Sequence, residues 1–255
     1  MKLGQSQWSV FFVLLSLNAL LAFITFAFGL QKEFLAGQEM PPELANVPGW
    51  MLGLANAGMI VVMYGIAGAI GLWLGQKAGL PGVFRIGAGW RNWVWAPMVF
   101  GLITGVLMVA GDRVFAVLGR WDGFAHPSFP MSLIASATAG IGEEIVFRGF
   151  VMGLWAFLLN LLLRRSGNTT AALWIANTIA ALAFAAGHLP TSMYLFNVQS
   201  PLQLPVAVLA DLVVLNSLVA LVAGERYMRD GLVAAMGVHF WADIVWHVIW
   251  PLITR

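Results

Sequence analysis

Seven long apolar stretches constrain the fold of this chain more than any other feature of its sequence. A helix needs roughly 20 consecutive apolar residues to cross the hydrocarbon core of a bilayer. Charged residues make up 9% of the 255 residues, whereas soluble domains carry about 25%. So few charges cannot cover a water-facing surface, and the chain is therefore predicted to be an integral membrane protein in contact with the lipid bilayer.

The predicted fold class is all-α, a multi-pass transmembrane helical bundle of about seven spans, with six to eight spans compatible with the pattern. The whole chain, residues 1–255, is expected to form a single membrane domain. The fourth stretch is longer than one crossing needs, so it is expected to tilt, to break near Gly140 and Gly142, or to protrude. The predicted spans are Trp8–Leu30, Trp50–Gly75, Val94–Leu118, Met131–Leu163, Ala171–His188, Val206–Gly224 and Leu232–Ile253.

Two connecting segments have their own character. Gln31–Pro48 contains three glutamates and three prolines and is predicted to be an exposed loop. Gly82–Trp93 contains arginines and tryptophans among apolar residues, which favours a short helix lying at the membrane interface.

Lysine and arginine in the short loops predict how the chain is oriented, because cytoplasmic loops carry the excess of positive charge. With the N-terminus inside, the inner segments hold eight such residues and the outer segments three. This bias favours an inside N-terminus, with the inner membrane of a bacterium as the expected location. The inner residues are Lys2, Lys77, Arg85, Arg91, Arg164, Arg165, Arg226 and Arg229, and the outer ones are Lys32, Arg120 and Arg255.

The composition excludes several classes of function. The chain has no cysteine, which excludes disulfides, thiolate metal sites and a cysteine nucleophile. Its basic residues are scattered, whereas nucleic-acid binding needs them clustered on one face, so no nucleic-acid partner is expected.

The densest group of ionisable residues inside a predicted span is Glu143-Glu144-x-x-x-Arg148. Charges at this depth are costly unless they are paired, so they are candidates for a functional site. Glu144 and Arg148 are four residues apart on one helix face and are expected to form an ion pair. Glu143 points about 100° away, without a local partner, and is the candidate general base. The alternative is that both glutamates only hold helices together.

Two later spans carry histidines. His188 closes the fifth predicted span, with Phe184 four residues earlier on the same face. In the last span, His239 and Asp243 are four residues apart, and Asp243 is expected to orient His239 by accepting its ring N–H. A buried polar network that only specifies packing is the alternative. His247, one turn further, is expected to be structural or interfacial.

Four other polar residues are expected to support the helices. Asp112 and Arg113 are adjacent, so they are expected to face different directions and to pair with another helix. Asp211 and Asn216 are expected to form hydrogen bonds across helices, and Asp211 is also a candidate for lining a cavity.

The three motifs, in this order, resemble the CPBP family of CAAX proteases and bacteriocin-processing membrane proteins, also called the Abi family. They are Glu143-Glu144-x-x-x-Arg148, Phe184-x-x-x-His188 and His239-x-x-x-Asp243, and the resemblance covers a catalytic core at residues 131–246. It implies an intramembrane glutamic endopeptidase that hydrolyses a peptide bond of a membrane-anchored, lipidated or small peptide-precursor substrate.

The resemblance also implies roles for individual residues. Glu143 and His188 would activate water, while His239 and Asp243 would assist at the scissile carbonyl. Glu144 and Arg148 would fix the backbone and charge of Glu143. An ionised Asp243, unlike an asparagine, has no hydrogen to donate to an oxyanion.

Two other functions remain open. Glu143, His188 and His239 are residue types that bind catalytic zinc, so a zinc metallopeptidase is an alternative, although no His-Glu-x-x-His motif is present. No cofactor is otherwise expected. A non-catalytic membrane scaffold or immunity protein would use the same polar core for stability or binding. The expected partner of the peptidase is a peptide or protein substrate at the membrane.

Overall fold

A computed structural model describes residues 4–35, 44, 46–163 and 168–254. These residues form helices, turns and loops with no strand among them, and seven helices are long and apolar enough to cross a membrane. The predicted all-α membrane bundle of seven spans is confirmed. The helices are α1 (Gln5–Ala27), α2 (Gly49–Lys77), α3 (Arg91–Gly119), α4 (Met131–Leu163), α5 (Thr169–Leu195), α6 (Val206–Asp230) and α7 (Leu232–Thr254).

Helix α4 is continuous through Gly140 and Gly142, so of the three expected alternatives the break is not present. The α-helix passes directly into a π-helical segment, Ile145–Met152, and then returns to α-helix. The two glycines serve close packing: a Cβ atom on Gly140 would lie 3.2 Å from the Phe240 backbone, and one on Gly142 would lie 2.5 Å from the Asn18 amide. Small residues commonly allow such close approach between membrane helices.

Helix α7 is the central helix of the bundle. In its apolar window 56% of the residues are buried inside the protein, against 22–39% in the other six helices. It packs most extensively against α3, α6 and α4. On α3, a Cβ atom on Gly101 would lie 2.5 Å from the Val238 carbonyl oxygen of α7. This central position places the polar residues of α7 in the interior rather than against lipid.

The segment before α3 is not the predicted interfacial helix. Residues 79–89 form turns and extended backbone, and Trp93 already belongs to α3. The carbonyl groups of Gly82 and Val83 accept the N–H groups of Leu232 and Val233, at 3.0 Å each. Because the first N–H groups of a helix lack partners within it, this loop completes the start of α7 and fixes its position.

Other helix ends and loops differ from the prediction. The long α-helix of α5 ends at Gly187 with His188 as its C-cap, as predicted, and a short helix, Leu189–Leu195, follows directly and completes α5. Helix α6 continues beyond Gly224 to Asp230. Half of the predicted Gln31–Pro48 loop lies outside the described residues. Its first residue, Gln31, is buried within a short 3-10 turn, which contradicts the prediction of exposure at that position.

The Asp112–Arg113 pair also differs from the prediction. Arg113 folds back along its own helix, and its Nε atom donates to the Asp112 carboxylate at 3.0 Å. Its side chain is long and flexible enough to reverse direction, so adjacent positions on the helix did not keep the two charges apart. On α6, the buried carboxyl group of Asp211 lies close enough to Asp112 of α3 for the two to interact electrostatically across the helices. Asn216 instead donates to the Leu212 carbonyl of its own helix.

Candidate active site

The two glutamates of α4 occupy different environments. Glu144 is completely buried, whereas a third of the Glu143 side chain is exposed to a cavity. Successive helical residues point about 100° apart, which accounts for this division. Among the described residues, the Oε2 atom of Glu143 has no hydrogen-bond partner. The predicted difference between one paired and one unpaired glutamate is present in the fold.

Glu144 holds a buried ion pair with Arg148. The Nε atom of Arg148 lies 3.1 Å from Glu144 Oε2, and both side chains are fully buried. The Arg148 guanidinium also lies over the Phe184 ring, 4.8 Å from its centre. The π-helical segment begins directly after Glu144, so the pair spans the junction of the two helix types. The predicted ion pair is confirmed.

His239 is surrounded by three carboxyl groups. Its Nδ1 atom is hydrogen-bonded to Glu144 Oε1 at 2.9 Å, while its Nε2 atom lies 3.6 Å from Asp243 Oδ2 and 3.9 Å from Glu143 Oε2. The expectation that Asp243 accepts the orienting ring N–H therefore does not hold. Glu144 makes this bond, because α4 and α7 pack closely enough for the carboxylate to reach across.

His188 faces the same carboxylate from α5. Its Nδ1 atom is 2.9 Å from the Phe184 carbonyl oxygen, one turn earlier, and its Nε2 atom is 4.0 Å from Glu143 Oε2. The Phe184 ring also contacts the rings of His188 and His239, with centroids 4.8 and 5.3 Å away. Phe184 thus packs against both histidines and Arg148 at once.

A cavity of about 610 Å³ joins these side chains. Glu143, His188, His239 and Asp243 all line it. The three sequence motifs, from three different helices, therefore meet at one site inside the bundle. Asp211 and Asn216 line the same cavity, which agrees with the alternative expectation for Asp211.

The sequence prediction missed several residues of this cavity. His126, in the loop before α4, lies with its Nδ1 atom 3.1 Å from Nδ1 of His247. Asn18 on α1 and Tyr64 on α2 also line the cavity. A polar residue inside an otherwise apolar span was a signal for Asn18, whereas nothing in the sequence indicated that the loop carrying His126 returns to α7.

The site has the residue types of a zinc site in a different arrangement. The distances from Glu143 to the two histidines are 3.9 and 4.0 Å, whereas ligands at about 2.0–2.1 Å around a tetrahedral zinc are about 3.4 Å apart. In the part of the chain that the structure describes, no group of three or more potential ligands is arranged to hold a metal ion.

Comparison with known proteins adds one family. Residues 125–245 match the family model described as "Type II CAAX prenyl endopeptidase Rce1-like". No curated protein and no solved structure matches the chain. The matched stretch contains all three motifs, and the match confirms the family resemblance drawn from them. The chain is an integral membrane protein by its seven apolar helices, and the match over residues 125–245 supports a CAAX-type membrane protease acting on peptide substrates.

Proposed function

We propose that this chain, which belongs over residues 125–245 to the CAAX-protease family, is a metal-independent intramembrane glutamic endopeptidase. One observation carries the proposal: the Nε2 atoms of His188 and His239 converge on Oε2 of Glu143, at 4.0 and 3.9 Å, inside a cavity within the membrane-spanning bundle. These distances are too long for direct hydrogen bonds and suit groups that share a water molecule.

The partner of each ring nitrogen defines what His188 can do. A backbone carbonyl only accepts hydrogen bonds, so His188 Nδ1, at 2.9 Å from the Phe184 oxygen, is the nitrogen that carries the proton. In the neutral ring, Nε2 is then a lone-pair acceptor directed at Glu143. In this proposal His188 accepts a hydrogen bond from the water and orients it for Glu143.

His239 has the complementary role. The Glu144 carboxylate accepts from its Nδ1–H group, which leaves Nε2 directed toward Glu143 and Asp243. With both ring nitrogens protonated, His239 offers an Nε2–H donor to the oxygen of the scissile carbonyl. The Asp243 carboxylate, 3.6 Å from Nε2, supplies negative charge beside this imidazolium rather than a donor for the oxyanion.

The proposed reaction is the addition of water to a peptide bond. Glu143 takes one proton from the water as its oxygen attacks the carbonyl carbon, and the carbonyl oxygen becomes negatively charged. When the tetrahedral intermediate collapses, the C–N bond breaks and Glu143 returns the proton to the leaving amine. Positioned acid–base groups typically contribute 10²–10⁴-fold to such a reaction.

The proposed substrate is a membrane-anchored, lipidated or small peptide-precursor chain, since the site lies within the bundle. The eight-to-three distribution of lysine and arginine supports an inside N-terminus. A bacterial inner membrane is the proposed location.

The test compares cells that express the wild-type protein, Glu143→Gln or Asp122→Asn. Glutamine keeps the shape of the side chain and removes the base, while exposed Asp122 lies outside the cavity and serves as the matched control. Peptides released from membranes are quantified by mass spectrometry. We expect products with the wild type and with Asp122→Asn, and their loss with Glu143→Gln at equal levels of folded protein. Unchanged products with Glu143→Gln would instead favour a scaffold or immunity protein.

A further inference from the structure

Helices α1 and α2 contribute a polar wall to the same cavity, although they lie outside the stretch matched to the protease family. Two of its polar side chains are already hydrogen-bonded within their own helices. Thr25 donates to the Leu21 carbonyl at 2.9 Å, and Asn56 donates to the Leu52 carbonyl at 3.1 Å. Asn18 differs, because neither its Nδ2 nor its Oδ1 atom has a hydrogen-bond partner among the described residues.

An unpaired amide at this depth is costly. Asn18 is completely buried and lies in the middle of an apolar span. Leaving a buried polar group without a partner costs about 1–3 kcal/mol, and a leucine at this position would avoid that cost. An unpaired Asn18 amide in the cavity wall therefore indicates a group that can form its hydrogen bond with a bound ligand.

The position of Asn18 relative to Glu143 is fixed by Gly142. A Cβ atom on Gly142 would lie 2.5 Å from the Asn18 amide nitrogen and 3.1 Å from the Tyr64 ring, so both side chains pack on this glycine. Tyr64 and Glu143 both line the cavity. Glycine is therefore needed at the residue before Glu143 for Asn18 to reach the site.

Helical geometry then places Asn18 across the site from His239. Gly142 and Glu144 are two residues apart and so point about 160° away from each other on α4. Gly142 faces Asn18, Glu144 faces His239, and Glu143 points between them into the cavity. A peptide lying over Glu143 would have His239 on one side and Asn18 on the other.

We propose that the Asn18 side chain binds the scissile carbonyl oxygen and donates its Nδ2–H group to the oxyanion, as a catalytic residue supplied by α1. This inference rests on the proposed peptidase function. Asn18 would supply the hydrogen-bond donor that an ionised Asp243 lacks, since a carboxylate has no hydrogen to donate. His239 and Asn18 would then each offer a donor to the oxyanion, and preorganised side-chain donors of this kind stabilise the negative charge that develops in acyl transfer.

The experiment compares Asn18→Leu with the matched control Asn177→Leu in the full-length protein. Leucine is close to asparagine in volume and removes the donor. Asn177 is equally buried but lies outside the cavity lining, and its amide donates to the Leu221 carbonyl at 3.0 Å. The probe is an internally quenched fluorogenic peptide spanning the cleavage site found in the Glu143→Gln comparison, and kcat, KM and the thermal midpoint are measured in detergent.

Removal of one oxyanion donor typically lowers kcat by about 10²–10³-fold. For Asn18→Leu we expect a kcat loss of about 10²-fold, a KM within about threefold of wild type and an unchanged or higher thermal midpoint, because a buried unpaired amide has been removed. For Asn177→Leu we expect a lower midpoint with kcat retained in the folded fraction.

Each other outcome overturns the inference. If Asn18→Leu keeps its kcat while Glu143→Gln is inactive, Asn18 is not a catalytic residue, although the proposed function stands. If Asn18→Leu loses kcat only in proportion to folded protein, its role is structural. If Glu143→Gln remains active, the site is not the active site, and the proposed function fails together with the role of Asn18.

Discussion

The buried ion pair between Arg148 and Glu144 allows a quantitative prediction. Arg148→Met keeps most of the apolar length of the side chain and removes its charge. The guanidinium now lies 3.1 Å from Glu144 and 4.8 Å from the centre of the Phe184 ring, and both charged side chains are fully buried. Because both side chains are buried away from water, the loss of Arg148 leaves the Glu144 charge uncompensated inside the bundle.

Removing one partner of a buried pair typically costs about 3–5 kcal/mol, a loss that here includes the cation–π contact with Phe184. Glu144 is still hydrogen-bonded to His239 at 2.9 Å, so we take the lower end and expect a loss of about 3 kcal/mol. At about 2–4 °C per kcal/mol, the thermal midpoint should fall by on the order of 10 °C.

The double variant Glu144→Gln/Arg148→Met provides the decisive comparison. Glutamine removes the stranded charge and keeps an oxygen that accepts from His239 Nδ1. We therefore expect the double variant to be more stable than Arg148→Met alone by at least about 1 kcal/mol, measured by thermal unfolding in one detergent. A double variant less stable than either single variant, or an Arg148→Met midpoint equal to wild type, would refute the reasoning that the buried charges depend on each other.

Three further outcomes follow from the structure. Peptide cleavage should survive treatment with a zinc chelator, because in the proposed reaction Glu143, His188 and His239 act on the water and the carbonyl without a metal ion. Stoichiometric zinc in the pure protein, removed together with activity and restored with it, would contradict this. Asp211→Asn should raise the thermal midpoint by a few degrees, since it replaces one of two neighbouring buried carboxyl groups with an amide that can donate to Asp112. Asp122→Asn is the exposed control. A lower midpoint for Asp211→Asn would show that the Asp211 charge is needed. Gly71→Val should abolish folded protein in size-exclusion chromatography, because a Cβ atom there would lie only 2.2 Å from the Gly149 carbonyl oxygen and α2 would be forced away from α4; by contrast, Gly58→Val has open space and should fold normally.

The family and the motifs could be recognised from the sequence, whereas the contacts within the site could not. Charges at four-residue spacing lie on one helix face, so the Glu144–Arg148 pair was predictable from local geometry. The bond from Glu144 to His239 joins residues 95 positions apart. It depends on how closely α4 and α7 pack, and spacing along a helix carries no information on that distance.

His188 shows the same limit in another way. The sequence predicted that it closes its span, and only the family resemblance placed it beside Glu143. In the structure the helix does end at His188, and the packing of α5 against α4 brings His188 Nε2 to 4.0 Å from Glu143. The tilt and length of packed helices set the depth of a residue, and apolar patterns define span ends only to within several residues.

The sequence by itself determined that the chain must be a bundle of membrane helices, because 9% charged residues cannot cover a water-facing surface. It also determined that Glu143 is the unpaired glutamate, because helical geometry turns it away from Arg148. Only the tertiary structure decided that Glu144 rather than Asp243 binds His239 Nδ1, and that Asn18 lies against Gly142 beside the site. The physical reason is that helix periodicity is a local property of the chain, whereas these contacts depend on which faces of different helices meet, and that is set by close packing at glycines.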